Sequence, residues 1–221
     1  MFFLVLLVAV MTALAGQPTA PSDQLTVGTG YRAAGGERIS CGPSNAAKTV
    51  TFNVVVERGL RHDPTSFART LSGIYCASDG WRASGVLRFR YEPGPRRSGN
   101  YIIRLLSPEG IRRECRELLG QEVSGNYSCA GSAAREINLN ARRWDRAVSH
   151  WKGPLSTYRR MVAMHEMGHA LTLRHVNCPR NGARAPVMMQ QSISMTQGGR
   201  TCVENHRPLR SELDRIRAAW R

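Results

Sequence analysis

The chain has 221 residues, with 31 Lys plus Arg against 16 Asp plus Glu and a formal net charge of +15. Lys48 and Lys152 are its only lysines, so arginine carries nearly all of the charge, spread from Arg32 to Arg221. There is no internal repeat, no low-complexity tract and no base-stacking aromatic cluster among the arginines. Repeat architectures and specific nucleic-acid readers are therefore excluded, leaving at most non-specific adhesion to anionic envelope polymers.

Taken in order, Phe2 to Ala15 is apolar except for Thr12. It is shorter than the about 20 residues a membrane-crossing helix needs. It ends in Ala13-Leu14-Ala15-Gly16, the small-residue pattern of a signal-peptide cleavage site. Residues 1–15 are thus expected to be a signal peptide; an uncleaved anchor is the alternative, because no Lys or Arg precedes the apolar run. Export to an extracellular setting follows. Residues 16–40, rich in Gly, Pro, Ser, Thr and Ala, read as a flexible linker. Residues 41–221 show no further composition break and make one domain of ordinary size.

Six cysteines fit an oxidising compartment. Of the 15 pairings six cysteines allow, sequence proximity favours Cys41–Cys76, Cys115–Cys129 and Cys178–Cys202. No Cys-x-x-Cys pair exists, which argues against a thiolate zinc site.

Within the domain, β-branched Val50 to Glu57 predicts a strand. Asp63-Pro64 caps and opens a helix to about Tyr75, with Phe67, Leu71 and Ile74 on one face. Val86–Tyr91 and Tyr101–Leu106 predict two more strands. Pro108–Leu119 predicts a helix ended by Gly120, and Glu136–Asn140 a short strand that could serve as the edge where an extended substrate pairs. Ser156 is placed as the cap of a long helix through Leu171. Arg207–Trp220 predicts a last amphipathic helix with a Leu209, Leu213, Ile216, Trp220 stripe. The fold class is α+β.

The long helix carries the chemistry. His165-Glu166-Met167-Gly168-His169 is His-Glu-x-x-His, and His175 follows six residues later. On a helix His165 and His169 share a face and can share one metal ion. Zinc suits imidazole, and Glu166, beside the first ligand, can reach a water in the open position as general base. The opposite face, assigned to Met161, Val162, Ala170 and Leu171, is expected to pack on the sheet. His175 would lie about 15 Å from His165 along a continuous helix, so the chain must reverse after about Leu171. In the pattern His-Glu-x-x-His-x-x-Gly-x-x-His a glycine does this; here Thr172 stands in its place. Either Thr172 breaks the helix with negative φ or it carries local strain. Downstream, Ala185-Pro186-Val187-Met188-Met189 offers Met188, with Met189 as alternate, as a thioether packed beneath the imidazoles.

These features together resemble a family of secreted bacterial proteins grouped with the metzincin zinc proteases. The resemblance runs from about Thr49 to the end. It rests on Thr51–Glu57, Gly80-Trp81, Tyr127-Ser128-Cys129, Ile137–Asn140 with Trp144, Tyr158-Arg159, the zinc helix, Cys178-Pro179 and Ala185–Met188. It implies a metzincin-like mixed sheet, a zinc-binding active-site helix and a small C-terminal subdomain ending in a helix. It implies zinc ligands His165, His169 and His175, Glu166 as catalytic base and a methionine turn at Met188. The expected partner is a protein or peptide substrate, and the chain is expected to be a monomer. No tyrosine follows Tyr158, so the tyrosine ligand some metzincins add after the methionine turn is absent. Two alternatives stand: a catalytically inactive zinc-binding or envelope-binding module on the same fold, and a zinc protease of another clan whose third ligand is Glu204 or Glu212.

Overall fold

In the computed structural model, residues 30–95 and 99–221 are described; the expected signal peptide lies outside them. In chain order the strands are β1 Tyr31–Ala33, β2 Ile39–Cys41, β3 Lys48–Glu57, β4 Leu87–Tyr91, β5 Tyr101–Leu106, β6 Cys129–Gly131, β7 Glu136–Asn140, β8 Thr196–Gln197 and β9 Arg200–Thr201. The α-helices are α1 Pro64–Cys76, α2 Pro108–Leu119, α3 Ala141–Arg146, α4 Leu155–Ala170 and α5 Arg210–Ala219.

The sheet is mixed, in the order β2-β4-β3-β5-β7-β6, with β1 added antiparallel to the end of β3. Strands β4, β3, β5 and β7 run parallel; β2 and β6 are antiparallel edges. The centre is β3, whose Val50, Phe52, Val54, Val55 and Val56 are fully buried, as a near-continuous apolar run in a parallel sheet should be. One face carries α1 and α4 over the main core. The other face carries α2, whose Ile111 and Cys115 meet Leu106 and Cys129 in a second cluster. The architecture is thus α+β, as expected.

The caps of α1 and α2 stand where the sequence places them. Asp63 accepts from the Ser66 N–H with Pro64 next in line, and Ser107 accepts from the Gly110 N–H ahead of α2. Gly120 closes α2 with φ +67.

Four expectations change. Residues 30–40 are not linker: β1 and β2 lie in the sheet, held by pairing with β3 and β4. Ser156 does not cap α4; Pro154 precedes the helix and its carbonyl accepts from Thr157 and Tyr158. Met161 and Val162 do not face away from the histidines, because offsets of −4 and −3 from His165 put them on its own face. Finally, β7 is not an edge, since β6 covers it.

All six cysteines are paired, Cys41–Cys76, Cys115–Cys129 and Cys178–Cys202. Each closure contributes about 3–4 kcal/mol in the chain-entropy model. Cys115–Cys129 ties α2 to the edge strand β6. Cys178–Cys202 centres a small C-terminal core with Ala185 and Met189. These bridges belong to an oxidising setting. Among the described residues no helix is long and apolar enough to cross a membrane.

Candidate metal centre

Helix α4 is gripped from behind before it can present anything in front. Trp81, fully buried, donates its indole N–H to the Met164 carbonyl at 2.8 Å. Tyr101 donates its hydroxyl to the Ala170 carbonyl at 3.2 Å. Gly168 is needed here: a Cβ would land on the Met188 sulfur and come within 3.1 Å of the Trp81 ring. The front face then places Tyr158, Met161, Val162, His165, Glu166 and His169 along a cleft of about 540 Å³.

After Ala170 the chain reverses as a Schellman motif. The Leu173 N–H bonds back to the Gly168 carbonyl and the Thr172 N–H to that of His169, both at 2.9 Å. Thr172 takes the left-handed position with φ 74. Of the two options open in the sequence, the strained one is realised, at about 1–2 kcal/mol. The reversal brings His175 within 3.2 Å of His165 and 2.9 Å of His169, Nε2 to Nε2. Replacing Thr172 with Gly should leave stability unchanged or raise it by about 1 kcal/mol, because relieved strain outweighs the extra freedom of the unfolded chain. A thermal melt checks this: the midpoint should stay or rise by about 2–4 °C, and a drop of several degrees would contradict the strain assignment.

The second nitrogen of two rings is fixed by backbone. His165 Nδ1 lies 2.7 Å from the Val187 carbonyl and His169 Nδ1 2.9 Å from that of Leu173. A carbonyl only accepts, so both Nδ1 atoms carry the proton. The neutral rings then point Nε2 lone pairs at each other across 3.2 Å. That is repulsive unless a cation sits at the focus, and the single N–H of His175 can serve only one of them. Ligand nitrogens on a tetrahedral ion at about 2.05 Å are about 3.3 Å apart, close to the 2.9–3.2 Å observed. Burial lowers the His165 pKa to about 3 and His175 to about 4, the neighbouring His169 helping in each case, and burial lowers His169 too. All three remain neutral donors at ordinary pH. The residues present therefore fit a metal ion.

Glu166 is only 6% exposed, and its Oε2 is buried with no hydrogen-bond partner among the described residues. Burial pushes its carboxyl up to about 8. A cation held at the histidine focus would pull it back down.

The loop under the site is held just as firmly. Met189 N–H bonds to the Pro186 carbonyl at 3.0 Å, closing a turn over 186–189, and Val176 N–H reaches the Met188 carbonyl at 3.2 Å. Met188, not Met189, packs beside α4; Met189 belongs to the small C-terminal core. Among the described residues only the three histidines form a cluster able to hold a metal. Glu204 instead accepts from the Lys152 N–H, and Glu212 from the backbone of the 186–189 turn. The other-clan alternative thus loses both of its carboxylates.

Sequence reasoning missed Tyr158 as a cleft residue. It sits seven positions before His165, two helical turns back on the same face, and its hydroxyl lies 3.0 Å from Ser192 Oγ. The spacing was the available signal. It also missed β6, whose Cys129 and Ala130 line the cleft beside its free edge. Leu119, Tyr127 and Ile193, all exposed, add an apolar rim.

Fold and site define an α+β protein with a three-histidine candidate metal centre at the foot of a cleft beside a sheet edge. Residues 18–214 match the model of the family described as Protein of unknown function (DUF3152), and the chain belongs to that family. Searches of curated proteins and of solved structures returned no match.

Proposed function

We propose that this protein is an exported, metzincin-like zinc metallopeptidase. The observation that carries the reading is the convergence of three neutral imidazoles on one focus with an otherwise unpartnered glutamate beside it. A zinc ion held by His165, His169 and His175 supplies Lewis-acid polarisation of a carbonyl and lowers the pKa of a water in its open position to about 7.

The protein's own residues do the rest. The free edge of β6 pairs with an extended peptide and lays its scissile bond across the cleft. Leu119, Tyr127 and Ile193 cover apolar side chains of that peptide and thin the water around it. Glu166, with no competing hydrogen bond at Oε2, accepts the proton of the attacking water and passes it to the leaving amine. Tyr158 and Ser192, hydrogen-bonded to each other, line the cleft beside His165 and Glu166.

Unfolded casein and a mixed pool of quenched peptides test this directly. The expected result is cleavage that a chelator abolishes and added zinc restores. Zinc-loaded protein inert on every substrate would instead support the non-catalytic binding module.

A further inference from the structure

The methionine turn is fastened from below by a carboxylate that forms no ion pair among the described residues. Glu212, on the first turn of α5, is 2% exposed. Its Oε1 accepts the Met188 N–H at 2.8 Å. Its Oε2 accepts the Val187 N–H at 3.0 Å and the Leu209 N–H at 2.8 Å. Every polar partner is a donor, a set that suits a carboxylate; burial raises its pKa, and these three bonds offset that rise only in part.

The Met188 N–H belongs to the same peptide group as the Val187 carbonyl. That carbonyl is the acceptor of the His165 Nδ1 proton, at 2.7 Å. One continuous chain therefore runs from Glu212 through the 187–188 peptide to His165. Hydrogen bonds in series polarise one another. A negative charge on the N–H end makes the carbonyl end a stronger acceptor, and a stronger acceptor at Nδ1 makes Nε2 a better donor to a metal. Metal-ligating histidines commonly receive this help from a carboxylate in direct contact; here one peptide group is interposed. His169 makes the natural control, because its acceptor, the Leu173 carbonyl, lies outside the chain.

We propose that Glu212 is a positioning residue that tightens metal binding by acting on His165 through the 187–188 peptide. This rests on the zinc-site reading of the three histidines. It also couples α5, the last helix, to the metal centre, so that disturbing one end is felt at the other.

The test uses the full mature chain. Zinc affinity is measured by competition with a chromophoric chelator for wild type and Glu212→Gln. Melting of the metal-free proteins reports the structural cost of the substitution separately. Glu212→Gln should bind zinc about 10–100-fold more weakly. In NMR spectra of the zinc-loaded proteins, the His165 Nδ1–H signal should lie downfield of that of His169 in wild type. It should move upfield in Glu212→Gln while the His169 signal stays. A variant that folds and binds zinc as tightly as wild type overturns the relay, as does an equal shift of both histidine signals. If Glu212→Gln does not fold, the wild-type spectrum decides alone, and a His165 signal no further downfield than that of His169 overturns the proposal. Wild-type protein that binds no zinc overturns the metal-site reading itself.

Discussion

Glu166→Gln should keep the fold and the zinc and lose about 10²–10⁴-fold in peptidase rate. Gln is the right replacement because it fills the same buried volume without a basic oxygen. The side chain is not needed for packing of charge: its Oε2 has no partner among the described residues, so no ion pair is broken. Burial of a glutamate with nothing opposite costs stability unless charge is supplied at the histidine focus. The metal-free variant is therefore expected to melt at or above the metal-free wild type. Parallel rate, zinc-content and melting measurements check all three statements. A fully active Glu166→Gln protein would place hydrolysis elsewhere.

His175→Ala should cost zinc affinity well beyond the about 10–100-fold typical of an outer partner of a ligand, since it removes one of three direct donors. His175 is the most exposed of the three and lies at the end of the reversed turn, so truncating it removes little core. Stability of the metal-free protein should be nearly unchanged, which separates loss of a ligand from loss of fold. Titration with a competing chelator reads the affinity. Zinc held as tightly without His175 would mean that another group completes the site.

Much of this was legible in the residues. β5, α2 and β7 match their predicted bounds; for the end of β5 and for α2 the reason is that Ser107-Pro108 and Gly120 impose local backbone geometry that tertiary contacts have no reason to override. What escaped was short or non-local. Strands β1, β2 and β6 have three residues each, too few for any period to show, and exist because a neighbouring strand offers partners. That is why residues 30–40 looked like linker and β7 looked like an edge. Thr172 could not be decided locally: propensity opposes positive φ, and the Schellman hydrogen bonds of Thr172 and Leu173 outweigh it. Met161 and Val162 were legible and misplaced, since helical spacing alone puts them with His165. Glu212 was noticed as a carboxylate in the right region, but its partner is the 186–189 turn, 24 and 25 residues away in sequence.

The metal is the centre of the account, and its content per chain is the most direct test. Mature protein purified without chelator should carry about one equivalent of zinc by elemental analysis, and His165→Ala and His169→Ala should each carry far less. Less than about half an equivalent in the wild type, with the three disulfides intact and the protein folded, would contradict the assignment of His165, His169 and His175 as a zinc site.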